Sequence, residues 1–463
     1  MSSVIPDRAL RELGRTEGGA DTLGLLVRDQ DTRRLVLLRA VLDAAAAAAG
    51  TAGCPPRLLD RLHADWALLE AAERADRAAV RTVLFHPLTG PWVQRLLSGL
   101  TPVTTTGPGL TADLAHLTAL ATAAAIRSGV PCTARLAPRG GLVSLPTLGA
   151  VRTDSGPVEL DHAEGEVVIR PANGPPLVAR TQPDSTVTSA DPRWLPVLAL
   201  PALLPGTANV PLDDLDPYGT EGGGHPRHGL SAVVRMDDHE RKAWAECWSG
   251  VEPLLRAGGE HRLTEAAVLL RCVVPLGHPP GSGADGGVAH CSGTRREAFG
   301  AVLSSRPATP VYFASTLVHE LQHTKLAALA ALVPLHHEDA APRHFAPWRS
   351  DPRPFDGLLQ GAYSHLALAD YWQRYALGAQ RVTPRDTAWA EHARCREQVG
   401  AVLPALAGSA RLTREGRVLV NEMITLYHRM DDCPPPPGHL ARAQAYVSTV
   451  KVIWQQRNGS RRQ

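Results

Sequence analysis

Residues 311–333 form the most apolar long stretch of the chain, yet His319, Glu320, His323 and Lys325 all lie inside it. A membrane span rarely tolerates four such groups, so the stretch reads as a helix buried in a protein core. That reading constrains everything around it. Residues four apart share one helix face, so His319 and His323 of "TLVHELQH" can both aim an imidazole nitrogen at one ion, about 2.0–2.1 Å away for zinc. Leu317, Val318, Leu321 and Leu326 make the helix apolar nearly all round, and buried imidazoles and a buried carboxylate need partners that a metal would supply. The plainer alternative is a pair of core histidines satisfied by their neighbours.

A third protein ligand is needed. The compact extension HExxHxxGxxH is absent, because Leu326 stands where it needs glycine and Leu329 where it needs histidine. His336, His337, Glu338, His344, His365 and Asp370 are the downstream candidates. His365 is preferred: it lies in the next apolar helix, "GAYSHLALADYW", which would pack on the first. A helix-packing histidine bonded to backbone is the alternative there.

The rest of the chain gives the setting. Its 463 residues suffice for two or three domains, and 44% hydrophobic with 20% charged residues is a soluble globular composition. A net charge of +2 without a block of like charge gives no reason to expect a nucleic-acid partner. The start, "MSSVIPDRALREL", lacks a basic region followed by an apolar run, and the basic end "QQRNGSRRQ" reads as a frayed tail. Seven scattered cysteines with no CxxC pair suit a reducing cytoplasm, each as a small core residue.

Three regions follow from the patterning: a helical one at 1–130, a β-rich one with a long loop at 131–230, and a metal-binding catalytic one at 231–463. The first holds three helices, "RRLVLLRAVLDAAAAAAG", "PPRLLDRLHADWALLEAAERADRAAVRTVLF" and "GLTADLAHLTALATAAAIRSG". In the second, "CTARLAP", "GLVSLPTLGAVRT", "GEVVIRP" and "PLVARTQ" predict a small antiparallel sheet or meander, and residues 201–229 a loop in which His225 and His228 are solvated. In the third, "DDHERKAWAECWSGVEPLLRAGG" predicts a helix, "EAAVLLRCVVPLG" and "EAFGAVLSSRP" predict strands, and the metal helix and further helices finish the chain. The expected fold class is α+β, mainly helical. A buried HExxH helix packs on following helices and a small sheet, with a β-rich insert in the N-terminal half.

At "AFGAVLSS", "TLVHELQHTKLAAL" and "PWRSDPRPFDGLLQGAYSHLALADYW" the chain resembles the HExxH-motif proteins of bacterial peptide-modification gene clusters. The match is closest over residues 295–372 and reaches faintly to "DLDPY" and the leucine-rich N-terminal helix. The resemblance implies an Fe(II)- and α-ketoglutarate-dependent oxygenase that uses O2 to hydroxylate a β-carbon in a ribosomally made precursor peptide. His319 and His323 match the family motif as iron ligands, and His365 matches a histidine of the following helix. An all-histidine set departs from the commoner two-histidine, one-carboxylate triad.

Under that reading the distal carboxylate of α-ketoglutarate needs a guanidinium clamp. Arg349 and Arg353 qualify, on a segment stiffened by Pro347, Pro352 and Pro354. A structural salt bridge to Asp351 or Asp356 is the alternative, and Trp348 reads as packing. The predicted strand at 297–305 could form a wall for an extended peptide, or be an interior strand. "DLDPYG" could cover the site or be only a turn. Under the resemblance Glu320 would orient a ligand from behind or hydrogen-bond a metal-bound water. In the rival reading, a zinc metallopeptidase, Glu320 is the general base. A third reading is a peptide-binding scaffold with a structural metal.

Overall fold

The structure is a computed structural model and describes residues 5–48, 56–100, 108–153, 156–219, 230–279, 290–338 and 340–458. Cys54, His225, His228 and the tail residues 459–463 lie outside the described residues. The fold is α+β and mainly helical, with three small sheets and a sheet-rich region in the N-terminal half.

The expected helix at "PPRLLDRL…VLF" is two helices, Pro56–Ala75 and Arg77–Leu84. Asp76 divides them: its Oδ1 accepts from the backbone of Ala78 and Ala79 at 2.9 and 3.0 Å, capping the second. Two more N-terminal helices, Asp7–Gly14 and Thr89–Leu100, lie outside the three expected from sequence. The helix Pro108–Arg127 is long and apolar enough to cross a membrane, and 78% of its most apolar window is buried against the rest of the protein. That is the position of a core helix.

The β-rich segments form an antiparallel sheet in the order Cys132–Leu136, Val158–Ala163, Glu166–Pro171, Leu177–Thr181 and Val187–Thr188. Burial alternates along Val158–Ala163, as one buried and one solvated face require. Glu164 and Gly165, both at positive φ (53° and 76°), make the tight turn into the next strand. A separate small sheet pairs Leu142–Leu145 with Gly149–Arg152 and Trp194–Pro196.

The third sheet carries the site. Its order is Ser292–Gly293, Ala301–Ser305, Cys272–Leu276, Val210–Leu212, Leu198–Leu200. Two expectations change here. "EAAVLLRCVVPLG" is not one strand: Glu260–Leu269 is a helix, and only Cys272–Leu276 is β. Likewise residues 297–300 are turns, and Ala301–Ser305 is an interior strand paired on both sides. Among the described residues the sheet has two terminal strands, Ser292–Gly293 beside Ala301–Ser305 and Leu198–Leu200 at the far end.

The apolar stretch of 311–333 is the helix Pro310–Leu332, with Pro310 in its first turn and Thr309 Oγ1 accepting from Tyr312 N at 3.2 Å. It packs along the helix Phe355–Gly378. One hydrophobic core gathers residues 5–26 with parts of 200–430, and a second gathers residues 38–194 with Tyr218. The long helix Ala20–Ala47 enters both.

Candidate metal centre

The helix Pro310–Leu332 presents polar groups on two sides. Behind, Lys325 is fully buried; its Nζ donates to the Thr16 and Glu17 carbonyls at 2.9 and 3.2 Å and to the Glu265 carboxylate. Burial lowers the Lys325 ammonium to about 8, with Glu265 acting against that shift. Arg262, also buried, donates to Thr16 O at 2.6 Å, Glu265 Oε2 at 3.1 Å and Asp370 Oδ2 at 3.2 Å. Gln322 Nε2 donates to Glu265 Oε2 at 3.2 Å. These bonds tie the metal helix to the N-terminal turn and to the helix Phe355–Gly378.

In front, His319, Glu320 and His323 line a cavity of about 760 Å³. His365, Arg349 and Arg353 line the same cavity, so all six residues singled out from sequence meet there. The Nε2 atoms of His319 and His323 are 3.2 Å apart. The His365 ring lies edge-on to His319, centroids 5.2 Å apart at 86°. His319 and His323 therefore converge, and His365 faces the same space without having closed on them. The described residues contain one group of three such side chains whose ligand atoms all lie within 4.8 Å of each other, and it is elsewhere, at His86, Asp213 and Cys272.

Neighbours fix which ring nitrogens are bare. His365 Nδ1 is 2.8 Å from the Gly361 carbonyl, which only accepts, so Nδ1 carries the hydrogen and Nε2 keeps its lone pair. His323 Nδ1 is 3.2 Å from Gln360 Oε1, with the same consequence. Outward-held Nδ1 hydrogens of this kind orient metal-binding histidines. His319 Nδ1 has no such partner. Burial, together with the other two imidazoles, holds His319 well below the ordinary histidine range, and burial brings His365 to about 4. His319 and His365 are thus held neutral, the form that ligates. In donor type and location the three imidazoles fit Fe(II) or zinc.

Glu320 is buried. Ser292 Oγ, on the terminal strand, donates to its Oε1 at 2.7 Å, while Oε2 has no partner. Burial raises its carboxyl above the usual range, against the pull of His323 and Ser292.

The arginine segment is a small closed loop. His344 N donates to Arg353 O and Arg353 N to His344 O, each at 2.9 Å. Trp348, between them in sequence, stacks on His365 with centroids 4.5 Å apart at 20°. Both arginines pair with Asp351: Arg349 Nε at 3.0 Å and Arg353 Nη1 at 3.2 Å. Arg353 Nε is buried and has no acceptor. Three further arginines, Arg295, Arg296 and Arg394, also line the cavity, against two carboxylates, Glu320 and Asp356.

The other candidate ligands stand apart. Asp370 is the buried partner of Arg262 and Arg374 on the back side, where its carboxylate is already engaged. His336 Nε2 lies 3.3 Å from Asp356, and His337 and Glu338 are exposed. None of His336, His337, Glu338 or His344 lines the cavity. "DLDPYG", residues 214–219, is a buried turn: Asp213, just before it, accepts from Leu215 N and Asp216 N, and Asp216 accepts from Tyr218 N.

Sequence reasoning missed Ser292, Gln360 and Gly361. Gln360 and Gly361 precede His365 on its own helix, a turn away, which is the one signal that could have found them. Ser292 lies 28 residues before Glu320, with no pattern linking them. No family model matches the chain, and a search of curated proteins gave no match.

Proposed function

We propose that the protein is an Fe(II)- and α-ketoglutarate-dependent oxygenase that hydroxylates a β-carbon in a ribosomally made precursor peptide. The observation that carries this reading is the single cavity. It brings the three histidines together with five arginines, against two lining carboxylates, with Asp351 pairing Arg349 and Arg353 from outside. A dicarboxylate cosubstrate matches that charge. The resemblance supplies the reaction; the cavity supports it.

His319, His323 and His365 would hold the iron. Bound Fe(II) supplies the redox chemistry that couples α-ketoglutarate and O2 to peptide hydroxylation, with succinate and CO2 as co-products. The chain does the positioning. Gln360 and the Gly361 carbonyl hold two imidazoles with their lone pairs inward. Arg353, with a buried unpaired Nε, is the better placed clamp for the distal carboxylate. Arg349 is more exposed, at 42% of its side chain against 24%. Ser292 fixes Glu320 between the terminal strand and the metal helix. The six described cysteines are unpaired, in keeping with a reducing cytoplasm.

One observation favours the zinc peptidase as a second reading: Glu320 follows His319 directly and has a buried carboxylate oxygen with no partner. The test uses anaerobically prepared protein with Fe(II), α-ketoglutarate, air and the peptide encoded beside its gene. A mass gain of one oxygen with matching succinate is expected. Product formed without α-ketoglutarate, or surviving His323→Ala, sinks the oxygenase reading, and peptide cleavage establishes the second.

A further inference from the structure

Away from the cavity, three side chains from distant parts of the chain meet in the interior. His86 lies between the helices Arg77–Leu84 and Thr89–Leu100, Asp213 follows the strand Val210–Leu212, and Cys272 opens the strand Cys272–Leu276. Their ligand atoms all lie within 4.8 Å of one another, and the residues are 4%, 2% and 0% exposed. None of them lines the histidine cavity.

Ordinary hydrogen bonding does not explain the group. Neither ring nitrogen of His86 has a hydrogen-bond partner. Its Nε2 is 3.4 Å from Asp213 Oδ2, near enough for an ion pair only if the ring is charged. Arg34 donates to the His86 carbonyl at 3.1 Å, so the cation beside His86 is engaged with its backbone and not with its ring. A buried imidazole with both nitrogens unmatched is rare in proteins and calls for a missing partner. Asp213 is held in place for one. Its Oδ1 accepts from Leu215 N and Asp216 N at 2.9 and 3.0 Å, which leaves Oδ2 facing His86. Its own N–H bonds Val273 O at 2.9 Å, beside Cys272. The Cys272 thiol has only the Val273 carbonyl, at 3.6 Å.

We propose that His86, Asp213 and Cys272 bind a zinc ion that pins the N-terminal helices to the central sheet. One thiolate and one carboxylate balance the charge of Zn²⁺, and the imidazole binds neutral. Binding releases the Cys272 proton to solvent. A thiolate with an imidazole selects zinc over magnesium or calcium, which prefer all-oxygen sets. The group offers three protein donors. Cys272 pairs in register with Ala301, the first residue of the strand that also pairs with Ser292–Gly293. The ion would therefore brace the sheet that carries Ser292 to Glu320.

The test keeps the full chain and removes the cavity pair with His319→Ala/His323→Ala. The protein is expressed in cobalt-supplemented medium and analysed for total transition metal and for its absorption spectrum. One metal per chain is expected, with a thiolate-to-cobalt charge-transfer band in the near ultraviolet. Adding Cys272→Ser should abolish that band. If the double variant is folded by circular dichroism but holds no metal, or holds metal without a thiolate band, the proposal is overturned. The spectrum of the double variant decides this even if the Cys272→Ser protein does not fold.

Discussion

Gly361→Ala should damage the proposed metal centre through one methyl group. Gly361 sits on the helix Phe355–Gly378 under the Trp348 indole. A Cβ there would lie 2.4 Å from Trp348 Cζ2 and 2.5 Å from Cε2 and Nε1. Carbon atoms in contact prefer about 3.5–4.0 Å, so the indole must retreat by about 1 Å. It cannot do so and keep its stack on His365, at 4.5 Å and 20°. Overpacking costs about 1–3 kcal/mol and the lost stack about 0.5–1.5 kcal/mol. Alanine returns about 1 kcal/mol through its helix preference over glycine. The expected net destabilisation is about 1–3 kcal/mol, read by urea unfolding. Gly378→Ala, at the end of the same helix with nothing within 4 Å, is the control that has the helix preference without the clash.

The decisive readout is local. Removing a group that orients a metal-binding histidine typically weakens metal binding by about 10–100-fold. An anaerobic Fe(II) titration of the Gly361→Ala protein should show a loss in that range. Tryptophan fluorescence reports whether Trp348 has moved. If fluorescence shifts while iron affinity stays at the wild-type value, His365 is not a ligand, and the assignment built on its bare Nε2 fails.

The remaining predictions test separate parts of the argument. Arg353→Gln should raise the α-ketoglutarate concentration for half-maximal succinate formation by about 10–100-fold, from losing a charged hydrogen bond of about 1.5–3 kcal/mol; a larger effect from Arg349→Gln would reverse the assignment. Glu320→Gln should leave hydroxylation within about tenfold of wild type, whereas a peptidase would lose about 10²–10⁴-fold with its base, so product mass and rate separate the two. Asp65 is buried and accepts from Thr118 Oγ1 at 2.6 Å; burial, partly offset by that bond, raises its carboxyl to about 6. Its charge therefore begins to destabilise the fold as pH rises above about 4 and does so fully above about 6, so Asp65→Asn should stabilise by about 1–3 kcal/mol at pH 7.5 and by little at pH 4 in urea unfolding. For Asp370, burial alone would raise the carboxyl, but His261, Arg262 and Arg374 together hold it well below the usual range. That stability is present above about pH 4 and lost as pH falls further; Asp370→Asn should cost about 3–5 kcal/mol at neutral pH and flatten the acid limb of the urea-unfolding profile.

What was legible in the sequence was local. The i, i+4 spacing put His319 and His323 on one helix face, and apolar periodicity placed His365 on a neighbouring helix. Proline-rich flanks marked the arginine loop. Legibility failed where meaning depends on long-range contact. "EAAVLLRCVVPLG" is apolar enough for a strand, yet Glu265 and Arg262 are buried on a helix because Lys325, Thr16 and Asp370 come from elsewhere to meet them. A short apolar run does not separate the two structures. His86, Asp213 and Cys272 share no spacing at all; folding alone brings them together. Cys272 looked like any small core residue, and at 0% exposure it is also that.

The buried network gives Asp370 a different role from the one its sequence position suggested. As a ligand it would have faced the cavity. Instead it anchors Arg262, which with Lys325 grips the Thr16 carbonyl and Glu265. Lys325 is two residues beyond His323 on the metal helix, so this grip holds the same backbone that carries the two imidazoles. A metal centre needs its donors held to within about 0.5 Å, and side chains on a helix reach that only if the helix itself cannot roll. An apolar back face resists rolling weakly, because hydrophobic contacts are non-directional. Directed, charge-assisted bonds to an ordered turn resist it strongly. The lysine that rules out a membrane span thus belongs to the same device as the histidines in front of it: one side of the helix fixes its rotation, and the other side uses it.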